Sequence, residues 1–175
     1  MMDFTPLQDA VSFAARAHRH QLRKDNITPY VSHVVRVAFT VRHVFGCDDT
    51  VALIAALLHD TIEDTTTDYD DLLERFGPEV ADCVASLTKN MALPDHVREP
   101  EYDQRLAAAD WRARLVKLGD QYDNYSDAVG GPAEEMILGK CRRALRLAVP
   151  DAEHHPETAR AIAALCELTG LSAEE

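Results

Sequence analysis

The residues best suited to chemistry stand together in Leu57-Leu58-His59-Asp60-Thr61-Ile62-Glu63-Asp64. An adjacent imidazole and carboxylate suit a divalent cation such as Mn²⁺, Zn²⁺ or Fe²⁺. Glu63 and Asp64, one turn further on, are spaced to orient or deprotonate a water beside it. On a continuous helix His59 stacks over Glu63 and Asp60 over Asp64. A plain acidic helix end is the competing reading, but carboxylates there oppose the helix macrodipole. A cation needs further ligands. His33, in Tyr30-Val31-Ser32-His33, stands near a helix start and, taken singly, reads as a capping or surface residue. Asp120 falls with Lys117, Asn124 and Asp127 on one helix side, opposite an apolar stripe of Trp111, Leu115, Leu118, Tyr122 and Tyr125. Taken singly, that side reads as a solvated face. Arg23 and Lys24 form a basic pair suited to a phosphate or a base, with surface solvation as the plainer reading. No Ser or Cys nucleophile motif is visible.

The elements that must position these groups read as helices, because apolar residues recur with a helical period and strand-like alternation is scarce. Thr5-Pro6-Leu7-Gln8 opens a first helix expected to run to about Gln21. Residues 23–29 read as a loop. A second helix is expected from about Val31 to Phe45, stopped by Gly46, and an apolar third from Asp49-Thr50 to near Asp60. Asp68 to Phe76 and Pro78 to about Lys89 follow, divided by Gly77. Residues 90–100, polar and carrying Pro94 and Pro100, read as a mobile loop, with a short helix over 101–109. Trp111 to Ala128, Glu134 to Ala148 and Glu157 to Thr169 complete the set. The expectation is an all-α, irregular fold of about eight helices.

The chain has 175 residues, for which one domain is expected. Its net charge of −12 argues against affinity for nucleic acid or an anionic membrane, while leaving room for a local basic pocket. Cys47, Cys83, Cys141 and Cys166 form no C-x-x-C pair and lie far apart, which suggests a reducing compartment. Met1-Met2-Asp3-Phe4 lacks the features of a signal peptide, and the longest apolar run, Val51 to Leu58, is too short to span a bilayer. A cytoplasmic protein is expected.

The order of these pieces carries a resemblance. Arg23-Lys24, then Pro29-Tyr30-Val31-Ser32-His33, then His59-Asp60-x-x-Glu63-Asp64, then Val116-Lys117-Leu118-Gly119-Asp120-x-x-x-Asn124 resembles the HD-superfamily phosphohydrolases. The specific likeness is to the hydrolase domain of RelA/SpoT-type alarmone enzymes and the free-standing small alarmone hydrolases. It covers about residues 4–149. The resemblance implies His33, His59, Asp60 and Asp120 as metal ligands, Glu63 and Asp64 as the catalytic pair, and Arg23, Lys24 and Asn124 as nucleotide contacts. It implies Mn²⁺ as the metal, and removal of the 3′-pyrophosphate of (p)ppGpp as the reaction. The sequence departs from that pattern at Val34, Gln121, Asp123, Ser126 and Asp127. Fewer cations and more acids there predict weaker binding of a substrate with two pyrophosphates. Lys140, Arg142 and Arg143 offer replacement charge, although a solvated basic face is the plainer reading. The alternatives are a hydrolase of the same chemistry acting on another phosphorylated nucleotide such as NADPH, and a non-catalytic nucleotide-binding module.

Overall fold

The computed structural model describes residues 5–173. The expectation about a signal peptide at residues 1–4 lies outside the described residues. Among the described residues ten α-helices follow one another: α1 Thr5–Ala17, α2 Val31–Phe39, α3 Thr50–Leu58, α4 Thr61–Asp64, α5 Tyr69–Phe76, α6 Pro78–Leu87, α7 Asp95–Ala108, α8 Trp111–Ala128, α9 Glu134–Ala148 and α10 Pro156–Thr169. A π-helical turn, Thr40–Val44, prolongs α2, and a 3₁₀ turn, Val149–Asp151, follows α9. No strand occurs among the described residues; a single antiparallel bridge joins Leu22 to Pro29. The irregular all-helical architecture is therefore the expected one. No helix among the described residues is long and apolar enough to cross a membrane.

The apolar α3 is the pillar of the molecule. Every residue from Ala52 to Leu58 is buried, and α1, α2, α6 and α8 pack around it. Asp49 caps its start by accepting from Ala52 N at 2.9 Å. Helix α8 crosses α2 closely at Gly119. An added Cβ there would lie 3.0 Å from Val41 Cγ2 and 3.3 Å from Val37 Cγ1, so glycine at 119 lets the two backbones approach.

Three local differences from the sequence reading matter. The third helix stops at Leu58, and His59 and Asp60 form the break before the short α4. The Asp60 carbonyl opens α4 by accepting from Asp64 N at 2.9 Å. The break sets the His59 and Asp60 side chains at the junction of the two helices, where each reaches the ligand cluster. Residues 95–100, expected in a mobile loop, open α7 instead; Pro94 precedes it and Pro100 is accommodated inside. Ion pairs hold this helix: Glu99 accepts from Lys89 Nζ at 2.8 Å and from Arg143 Nη1 at 2.7 Å. Finally, the polar side of α8 is only partly solvated: Asp127 is exposed, but Asp120 is not. Asp120, Gln121 and Asp123 are buried, because α8 is flanked by α2 and α3 as well as by α9.

Candidate metal centre and nucleotide cavity

His33 comes from α2, His59 and Asp60 from the break after α3, and Asp120 from α8. His33, His59 and Asp60 each offer a ligand atom within 4.8 Å of the others. His33 Nε2 lies 3.5 Å from Asp60 Oδ2 and 3.3 Å from Asp120 Oδ1. His59 Nε2 lies 3.1 Å and 3.7 Å from the same two oxygens.

The far side of each ring is already committed. His59 Nδ1 donates to the carbonyl of Ala56 at 2.8 Å, and His33 Nδ1 donates to Asp123 Oδ2 at 2.6 Å. A donating Nδ1 leaves Nε2 as the lone pair in a neutral imidazole. His59 Nε2 is a buried polar atom without a hydrogen-bond partner, despite the carboxylate beside it. Two imidazole lone pairs and two carboxylate oxygens thus face one another in a buried space. A divalent cation fits among His33, His59 and Asp60, with Asp120 Oδ1 beside both imidazoles.

The carboxylates around the two imidazoles draw positive charge into the cluster. Burial opposes charge on His33, but Asp120, Asp123 and Asp60 outweigh it and raise its pKa to about 9. His59 is likewise driven well above the usual imidazole range, by Asp60 and Asp120 against its burial. Despite burial, Asp60 and Asp120 are held well below the ordinary carboxylate range: the two imidazoles act on both, and Lys117 also acts on Asp120. Hydrogen bonds fix the orientation of both carboxylates. Tyr30 Oη donates to Asp60 Oδ2 at 2.6 Å. Lys117 Nζ at 2.7 Å and Gln121 Nε2 at 2.9 Å reach Asp120 Oδ2, and Asn124 Nδ2 reaches Oδ1 at 2.5 Å.

The cluster forms one wall of a cavity of about 320 Å³, within the range of small-ligand sites. Glu63 and Asp64 line it beside the cluster. Glu63 Oε2 accepts from the backbone N of Lys89 at 2.7 Å. Burial and the nearby Asp60 charge push both carboxyls above their ordinary range. Arg23, Lys24 and Asn124 line the cavity too. The loop that carries Arg23 is shaped by Asp25, which accepts from Ile27 N and Thr28 N, both at 2.9 Å. The fold therefore brings all nine singled-out residues to one place.

Sequence reasoning passed over several lining groups. Lys89 and Tyr102 carry no local signal; the course of α6 and α7 delivers them. Lys140, which the sequence leaves as solvated, also lines the cavity, and burial together with the Lys89 and Lys117 charges lowers its pKa. Such a crowd of cations favours an anionic guest. Arg143 lines the cavity as well but is paired with Asp103 and Glu99, while Arg142 pairs outside it with Glu135. Leu87, Leu106, Ile137 and Leu147 supply an apolar wall.

The departures also look different in place. Gln121 anchors Asp120. Ser126 is exposed and bonds back to the Tyr122 carbonyl at 2.8 Å. The acids at 123 and 127 are engaged by Arg36 and Arg23, so their charge is largely neutralised before any anion arrives.

A family model described as "HD domain" matches residues 10–135. The chain is 42% identical over 122 residues to the human guanosine-3′,5′-bis(diphosphate) 3′-pyrophosphohydrolase MESH1, covering 69% of this chain and 68% of that protein. The Xenopus tropicalis protein of the same name is 38% identical over 126 residues, covering 71% and 70%. A solved structure described as a metazoan ortholog of SpoT that hydrolyses ppGpp superposes with a TM-score of 0.82 at 26% identity, over 98% of this chain and 99% of that one.

Proposed function

The chain belongs to the HD domain family, and from that premise we propose that it is a metal-dependent guanosine-3′,5′-bis(diphosphate) 3′-pyrophosphohydrolase built as a single domain. The reaction is (p)ppGpp plus water giving GDP or GTP plus pyrophosphate. The relatives of that name support the substrate. The observation that carries the chemistry is the convergence of His33, His59, Asp60 and Asp120 at one end of a cation-lined cavity.

His33, His59, Asp60 and Asp120 would hold a divalent cation, Mn²⁺ in this reading, which would supply positive charge against the phosphoryl oxygens and acidify water. The protein's own groups do the rest. Glu63, fixed by the Lys89 N–H, and Asp64 beside it orient the attacking water and take its proton. Their raised carboxyl pKa values make them better bases than free carboxylates. Lys140 faces the phosphoryl groups, and Arg23 and Lys24 hold the more distant phosphates. The wall of Leu87, Leu106, Ile137 and Leu147 offers the nucleoside an apolar surface. Buried or half-buried free cysteines agree with work in the reducing cytoplasm.

The test is chelation and reloading. Stripped protein should release no pyrophosphate from ppGpp and should recover on adding Mn²⁺. Turnover that survives complete chelation would remove the metal from the account.

A further inference from the structure

Behind the ligand cluster runs a chain of charges that the catalytic reading leaves unused. Asp123 Oδ2 holds His33 Nδ1 at 2.6 Å. One turn beyond His33 on α2, Arg36 grips the same carboxylate with two arms, Nε to Oδ1 at 2.5 Å and Nη2 to Oδ2 at 2.8 Å. That Nη2 also reaches Asp127 Oδ2 at 2.9 Å. The same oxygen of Asp127 accepts from Arg23 Nη2 at 2.8 Å. Arg36 lies outside the substrate cavity and lines an adjoining one of about 390 Å³, where Arg23, Lys24 and Asn124 form the shared edge.

We propose that Arg36 is a positioning residue whose guanidinium sets His33 through Asp123 and Arg23 through Asp127, tying the metal side of the site to its nucleotide side. This rests on the function proposed above for the site. A planar guanidinium is the group that can do it. Its fork takes one carboxylate in a bidentate grip while a free N–H serves a second, which a lysine ammonium cannot match in geometry. Without Arg36, the Asp123 carboxylate turns about a torsion with only soft preferences, and His33 loses a fixed partner. Asp127, nearly half exposed, keeps only Arg23 and can swing with it toward solvent. Partners one shell behind a metal ligand usually change metal affinity by about 10- to 100-fold. A lone exposed ion pair would do much less, so the magnitude itself discriminates.

The experiment uses the full chain, stripped by chelator, with Arg36→Met, Arg36→Lys and Asp127→Asn beside wild type. Mn²⁺ alone is titrated by calorimetry, KM and kcat for ppGpp are measured at saturating Mn²⁺, and thermal melts report folding. Arg36→Met should stay folded, bind Mn²⁺ about tenfold more weakly and show a severalfold higher KM, with kcat at saturation nearly unchanged. Arg36→Lys should recover one of the two readouts at most. Asp127→Asn should raise KM and leave Mn²⁺ affinity at the wild-type value, and it carries the test if Arg36→Met fails to fold.

Wild-type Mn²⁺ affinity and KM in Arg36→Met would overturn the proposal, as would full rescue by lysine or an unchanged KM in Asp127→Asn. Wild-type protein that takes up no Mn²⁺, or His59→Ala that takes up as much as wild type, would instead remove the reading of the site, and this inference with it.

Discussion

At the scale of the residue, the decisive fact is that both histidines have spent their Nδ1 atoms. Ala56 and Asp123 hold those nitrogens, so both Nε2 atoms turn toward Asp60 and Asp120. His59→Ala or Asp60→Ala should therefore abolish both Mn²⁺ uptake and turnover; wild-type metal content in either variant would refute the ligand assignment. Glu63→Gln keeps the size and the Lys89 contact but removes the base. It should retain Mn²⁺ and lose about 10²- to 10⁴-fold in kcat, and an unchanged rate would take Glu63 out of the mechanism. Arg23→Ala should raise KM about tenfold or more, since a hydrogen bond to a charged group is worth about 1.5–3 kcal/mol. A fall confined to kcat would contradict a binding role.

Residue by residue, legibility was uneven. His59-Asp60-x-x-Glu63-Asp64 announces itself because so many carboxylates at a helix end need a reason. His33 and Asp120 look ordinary alone, and only their order along the chain singles them out. Lys89 has no sequence mark at all, because its role depends on where α6 ends. Arg36 was readable in principle, one turn from His33, but a lone arginine on a helix is unremarkable until its acid partners are in view.

At the scale of the element, periodicity located the long helices well, and α8 and α9 begin and end as expected. It failed where tertiary packing overrides local preference. Asp120 taken singly reads as solvated because charge normally faces water, yet here imidazole and lysine partners make its burial tolerable. Two prolines argue against order at 90–100, yet α7 runs through Pro100, burying Tyr102 and Leu106, with Glu99 clamped by Lys89 and Arg143.

That clamp gives a pH prediction. Partial burial opposes the charge on Glu99, but hydrogen bonds from Lys89 and Arg143 outweigh it and hold its carboxyl down at about 2, against an ordinary 4.5. A depressed carboxyl stabilises the fold above its unfolded pKa, and that contribution drains away as pH falls toward its folded value. Glu99→Gln should thus melt below wild type at pH 7, and the gap should close between about pH 4.5 and 2. A gap that stays constant across that window would show that the clamp contributes nothing through its charge.

At the scale of the whole molecule, an acidic chain of net charge −12 still gathers six cationic side chains around the cavity where an anionic substrate would lie. The ligand cluster also joins α2, α8 and the end of α3, so metal binding should stabilise the fold. Mn²⁺ at about 100 times its Kd adds about 2.7 kcal/mol, which corresponds to a rise of about 5–10 °C in Tm for a chain of this size. Wild type should show that shift and His59→Ala should not; equal shifts in both would place the cation elsewhere.

The most direct test of the central claim is product analysis on ppGpp and NADPH side by side, with Mn²⁺-loaded wild type and with Asp60→Ala as the blank. The account predicts GDP and pyrophosphate from ppGpp with wild type and neither with the variant. No turnover of ppGpp by metal-loaded protein, or orthophosphate as the released product, would contradict it.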